Sequence, residues 1–168
     1  NAAAPAYLAF QCKQAGVSRF IYASSCSVYG FTKDKEFDES SPTVSDYPYG
    51  ISKLQGEFGV MQLQDKNFSV IALRQGTVSG YSPRMRLDLV INTMFKFAMN
   101  DKQITVNNPK IWRPILGIQD AIQAYKNSLK ADFDLSGIFN VCSGNYTIGD
   151  IGDIVSKKVE QLSNRKIE

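Results

Sequence analysis

The stretch Tyr47-Pro48-Tyr49-Gly50-Ile51-Ser52-Lys53 (YPYGISK) divides two kinds of sequence. Before it, from Phe31 to Pro48, the chain is loop-like and punctuated by Pro42 and Pro48. After it, residues from Tyr49 to about Gln64 read as a helix. Phe68 to Arg74 (FSVIALR) then forms a continuous apolar run, the pattern of a strand buried on both faces. A helix starting at Tyr49 places Lys53 one turn further along the same face. Tyr49-x-x-x-Lys53 is then either an ordinary helix start or a proton-transfer pair. A tyrosine hydroxyl, with an ordinary pKa of about 10, is a poor base at neutral pH unless a positive charge beside it favours phenolate.

Outward from this stretch the chain alternates between helical and extended patterns. Residues 1 to 15 read as a helix with Asn1 as N-cap, Leu8 and Cys12 on its apolar spacing and Gly16 as its stop. Arg19 to Ser24 (RFIYAS) is a strand, and SSCSVYG is a strand end followed by a loop. GTVSGYSPR is a second loop, residues 87 to 99 a helix, and Ile104 to Val106 a short strand. Another strand lies around Trp112 to Leu116. A helix follows from Gln119 to Lys130, with Ala121, Ile122 and Tyr125 on its apolar side. GIFNVCSG is a strand and a turn, and Thr147 caps a last helix. This order predicts an α/β chain with a mostly parallel sheet.

Composition narrows the chemistry. The chain has 168 residues, 43% hydrophobic and 21% charged, as in a globular domain or part of one. Its net charge of +3 is too small for a nucleic-acid footprint, and charges alternate in sign, as in Lys33-Asp34-Lys35-Glu36. No apolar run is long enough for a membrane span. The three cysteines, Cys12, Cys26 and Cys142, lack metal-ligand spacing, so no metal is expected and a reduced, cytoplasmic protein is the simplest reading. There is no histidine, which removes Ser-His and Cys-His nucleophilic chemistry.

Read in order, YASSCSVYG, Tyr49-x-x-x-Lys53, LRQGTVSG and WRPILGIQD resemble the motifs of extended short-chain dehydrogenases/reductases. The resemblance is closest to the NAD-dependent nucleotide-sugar epimerases and dehydratases, and it runs over nearly the whole chain. It implies a partial Rossmann-type, doubly wound parallel sheet with part of a small C-terminal substrate-binding lobe. Residues 1–80 would be the C-terminal half of the dinucleotide-binding domain. Residues 81–168 would be mainly the substrate lobe, with segments returning to the sheet. The glycine-rich dinucleotide loop of such proteins would lie upstream of Asn1, so the chain is expected to be a fragment that is inactive alone.

The same resemblance implies site residues. Tyr49 and Lys53 would be the proton-transfer pair, with Lys53 also on the nicotinamide ribose, and Ser25 would hydrogen-bond the sugar hydroxyl being oxidised. Asn1 and Ser24 match cofactor-side positions. Ser27, Thr77, Arg86, Asn92 and Arg113 match substrate-side positions, Arg113 as a clamp on the substrate diphosphate. Ser24 and Ser27 could instead satisfy backbone groups, Cys26 fill a small gap, and Trp112 serve packing. The implied cofactor is NAD, with NADP as the alternative. The implied partners are a nucleotide sugar and, for the full-length protein, a second copy in a homodimer.

Departures from the family pattern narrow the reaction. Sugar 4,6-dehydratases carry an Asp-Glu pair where this chain has Cys26-Ser27, and the family's decarboxylases keep the Glu. Double epimerases of the fucose-synthase type need a pocket histidine. Gly117 and Ser79 stand where relatives usually have His and Tyr. A 4-epimerase, which oxidises and re-reduces one carbon, fits best. The alternatives are a keto-reductase or dehydratase of the same fold, and a non-catalytic nucleotide sensor.

Overall fold

The computed structural model describes residues 1–30, 36–164 and 166–167. The start of the expected loop at Phe31 and the charged run Lys33-Asp34-Lys35 fall outside those residues. The elements run α1 Ala3–Gln14, β1 Arg19–Ser25, a 3-10 turn Cys26–Tyr29, α2 Pro48–Met61, β2 Ser69–Gln75, β3 Thr77–Ser79 and α3 Val90–Asp101. They continue with β4 Trp112–Gly117, α4 Ile118–Lys130, β5 Gly137–Val141, β6 Gly144–Thr147 and α5 Ile148–Ser163.

Two three-stranded sheets result. The first has the order β1-β2-β5 and is parallel throughout, with Tyr22 beside Ala72 and Leu73 beside Phe139. Its central strand is the apolar run of the sequence, buried from Ser69 to Arg74. Alternation along β2 assigns its two faces. Val70 and Ala72 join Ala9, Tyr22 and Val60 in a core under α1 and α2. Arg19 and Gln75 project from the other face and meet α4. Arg19 donates to the carbonyls of Ser128 and Ala131 at its C-terminal end, and Gln75 donates to the Tyr125 hydroxyl.

The second sheet, β3-β4-β6, is mixed: β3 pairs parallel with β4, and β4 antiparallel with β6. Its Ile115 joins a second core built from Met94 and Ala98 of α3 and Ile151, Val155 and Val159 of α5. Thr147 caps α5 as expected, in a reciprocal capping box with Asp150.

Five local expectations are corrected. Asn1 is not the N-cap of α1; Ala2 holds that place, without a side-chain bond. Leu8 is exposed, and the buried member of α1 is Ala9, because α1 packs closely on α2. A Cβ on Gly59 would come within 2.7 Å of Ala6, a spacing that admits only small residues. Ile122 is also exposed, whereas Ala121 is buried. Ile104 and Val106 form no strand; their side chains pack onto the core of α3 and α5, Val106 against Gly152. Finally, β3 and β6 arise within segments that read as loop and turn, so a second sheet appears where one was expected.

Candidate active site

The carboxyl ends of β1 and β2 open into a cleft of about 1000 Å³, which the second sheet borders on its far side. Ligands of open parallel sheets collect at such strand ends. Ser24, Ser25, Cys26, Ser27, Tyr49, Lys53, Thr77, Arg86, Trp112 and Arg113 all line it, so most of the residues singled out from sequence converge. Asn92 and Asn1 do not line it. Asn92 is buried, and its amide donates to the Arg86 carbonyl at 2.8 Å, which ties down the loop carrying Arg86. The carbonyl of Asn1 instead abuts Gly56 of α2.

Pro48 opens α2, where its missing N–H costs nothing, and Tyr49 follows at the cleft mouth with half its surface exposed. One turn on, the Lys53 ammonium donates to the Ala23 carbonyl at 2.7 Å. It stands 5.9 Å from the centre of the Tyr49 ring and 5.3 Å from that of Tyr22. Burial pulls the Lys53 pKa below its ordinary value. Burial, and then the charge of Glu57, push the Tyr22 hydroxyl up to about 12, and that hydroxyl donates to the Lys53 carbonyl.

Ser25 caps the 3-10 turn. Its Oγ accepts from the Ser27 amide at 3.2 Å and donates to Ser27 Oγ at 3.1 Å. Ser24 is turned the other way: its hydroxyl donates to the carboxylate of Glu57 at 2.7 Å. Its proton is thus committed inside the protein. Cys26 donates to the Arg74 carbonyl, and burial pushes its thiol up to about 12. Arg86 forms an exposed pair with Asp88. Trp112 leaves 45% of its surface open and lines the cleft.

Sequence reasoning missed the buried partners beneath the cleft. Glu57 is fully buried and receives Arg74 Nη2 at 2.6 Å and Nε at 3.0 Å. Arg74 also donates to the Tyr29 hydroxyl, which donates on to Asn140 of β5. The available signal was spacing: Glu57 follows Lys53 by four residues, as Lys53 follows Tyr49, and Arg74 interrupts an apolar run.

The arrangement offers a tyrosine hydroxyl beside a half-buried ammonium, a serine hydroxyl on the facing strand end, and two arginines across the cleft. Glu36 is the one carboxylate among its described lining residues. Such a site can move a proton to or from a substrate hydroxyl and hold an anionic group a short way off.

Comparison with known proteins shows what this chain is similar to in sequence and fold. The human dTDP-D-glucose 4,6-dehydratase is 32% identical over 119 residues, 70% of this chain and 33% of that protein. MoeE5, solved in complex with UDP-glucuronic acid and NAD, superposes with a TM-score of 0.80 at 26% identity, covering 99% of this chain and 55% of that one. The UDP-glucuronic acid 4-epimerase from Bacillus cereus, in complex with UDP-glucuronic acid and NAD, gives 0.81 at 25% identity, covering 99% and 52%. The chain therefore spans about a third of the curated relative and about half of the solved ones, and it shares their Rossmann-type α/β fold. The profile of the NAD dependent epimerase/dehydratase family matches residues 1–142, and the chain belongs to that family.

Proposed function

We propose that this chain carries the catalytic half-site of a nucleotide-sugar 4-epimerase that uses NAD. The observation that carries the reading is the convergence of Ser25, Tyr49 and Lys53 on one wall of a cleft that has Cys26 and Ser27, not acids, beside them. Residues 1–80 supply this wall as part of the dinucleotide-binding domain, and residues 81–168 supply most of the substrate side.

The donor set suits the nicotinamide end of the cofactor: Lys53 presents an ammonium at the strand ends and Tyr49 a hydroxyl one turn away. The chemistry that NAD would supply when bound is hydride acceptance at the sugar carbon and hydride return to its other face. Ser25 turns its hydroxyl from Ser27 toward the sugar oxygen. Tyr49, as phenolate, takes the proton of that hydroxyl, and Lys53 stabilises the negative charge. Tyr49 returns the proton when the carbon is reduced. Arg113, Arg86, Thr77 and Ser27 bind the nucleotide-sugar, and Asn92 acts indirectly by holding the Arg86 loop.

The full gene product, incubated with UDP- and dTDP-hexoses, is expected to yield products of unchanged mass without net loss of NAD. Tyr49→Phe is expected to lower turnover by roughly 10²–10⁴-fold. Near-normal rates in that variant would overturn the assignment. A product lighter by one water favours the second reading, a 4,6-dehydratase, which the likeness to the human enzyme supports. Net cofactor consumption would instead indicate a keto-reductase.

The same reading includes a homodimer. Tyr7, Leu8 and Phe10 of α1 and Phe58 of α2 present exposed apolar surface on two helices that pack together. A second copy meeting this face would form a four-helix bundle. Light scattering at micromolar concentration is expected to give twice the chain mass, and a monomer would count against it.

A further inference from the structure

We propose that Glu57 and Arg74 are positioning residues: a buried ion pair that sets where α2 holds Tyr49 and Lys53 relative to Ser25. This rests on the reading of Tyr49, Lys53 and Ser25 as the catalytic group.

The geometry is specific. Tyr49, Lys53 and Glu57 recur every four residues and share one face of α2. The carboxylate of Glu57 receives a two-pronged contact from Arg74, at 2.6 Å and 3.0 Å, and a third bond from Ser24 at 2.7 Å. Ser24 and Arg74 are register partners at the ends of β1 and β2, so both strands grip one side chain of the helix. Ser24 directly precedes Ser25. Through the Tyr29 hydroxyl the grip extends to the 3-10 turn and to Asn140 on β5, both in the cleft wall. Four elements that border the cleft, together with α2, are joined at one point.

Glycines let the helix come close enough. A Cβ on Gly56 would lie 2.5 Å from the Tyr22 hydroxyl, and one on Gly50 would overlap the Ser27 carbonyl and Ser45 Oγ. Apolar packing alone tolerates sliding, because dispersion contacts have no preferred direction. A fork of directed hydrogen bonds does not. A buried ion pair is also weak evidence of net stabilisation, since desolvation can outweigh the attraction. Its value here is geometric, and a shift of about 1 Å in a reacting group can cost roughly 10²-fold in rate.

Two variants of the full gene product test this. In Glu57→Gln/Arg74→Met no unpaired charge is buried, so the thermal midpoint is expected to return close to that of the parent. Turnover is expected to stay at least about tenfold low, with KM for the nucleotide sugar within about twofold. Recovery of both midpoint and turnover would show that the pair serves packing alone and overturn the proposal. Arg74→Lys keeps the charge and loses the fork, and serves if the double variant does not fold. It is expected to lower turnover without raising KM, at temperatures where it remains fully folded. Its Tyr49 ring resonance, in protein labelled at tyrosine, is expected to shift, with Thr147→Ala as a control that leaves it in place. An unmoved resonance overturns the proposal even in a protein without epimerase activity, whereas an inactive parent with a shifted resonance overturns only the functional reading.

Discussion

The ammonium of Lys53 reaches back across the helix–sheet boundary to the carbonyl of Ala23, 2.7 Å away. That bond joins the helix bearing Tyr49 to the strand bearing Ser25, two residues after Ala23. It also fixes a positive charge against the Tyr49 ring at 5.9 Å. Lys53→Met removes both. It is expected to lower turnover by about 10²-fold or more and to weaken NAD affinity together with it. Steady-state kinetics and titration calorimetry on the full gene product check this. Loss of turnover with unchanged NAD affinity would separate the two roles assigned to Lys53.

Gly50 follows Tyr49 and is buried, with the Ser27 carbonyl and Ser45 Oγ where a side chain would go. The carbonyl belongs to the 3-10 turn and cannot swing aside as a long side chain would. Gly50→Ala is therefore expected to push the start of α2 outward. A destabilisation of roughly 1–3 kcal/mol should show in urea unfolding. Turnover should fall further than stability predicts, because Tyr49 is the adjacent residue. An alanine variant with parental kinetics would show that the turn yields instead.

Cys26 and Cys142 both line the cleft, but burial holds the Cys26 thiol up to about 12, and Cys142 is exposed. Thiolate is the reactive form, so Cys26 stays protonated at neutral and mildly alkaline pH. Iodoacetamide at pH 8 is expected to modify Cys142 first and Cys26 only after denaturation. Peptide mass mapping reads the order. Early labelling of Cys26 would contradict its half-buried, hydrogen-bonded placement.

Tyr22 has its hydroxyl pushed up to about 12, first by burial and then by Glu57. A group whose folded pKa exceeds its unfolded value of about 10 contributes stability that is intact below pH 10 and lost as pH rises toward 12. Urea midpoints are therefore expected to fall over that window. Tyr22→Phe should reduce the slope, although Tyr29 and Tyr125, also raised by burial, retain part of it. An unchanged slope in Tyr22→Phe would show that the phenol ionises equally well folded and unfolded.

What the sequence determined by itself was set by local rules. The apolar run of β2, the helix beginning at about Tyr49 and the cap at Thr147 were legible because burial on two faces, a proline closing the preceding loop and a capping hydroxyl act within a few residues. The order of the motifs likewise carried the family, and with it the convergence of Ser25, Tyr49, Lys53, Thr77, Arg86 and Arg113. Tertiary structure decided what depends on partners distant in sequence. Thr77–Ser79 and Gly144–Thr147 are strands only because β4 lies beside them to take their backbone bonds, and Ile104–Val106 lacks such a neighbour. Leu8 was misplaced because the closeness of α1 to α2 reserves the contact for Ala6 and Ala9. Glu57 and Arg74, seventeen residues apart, gave no sign in composition of meeting in the core. A charge can be buried there only because the fold brings its counter-charge and Ser24 to the same point.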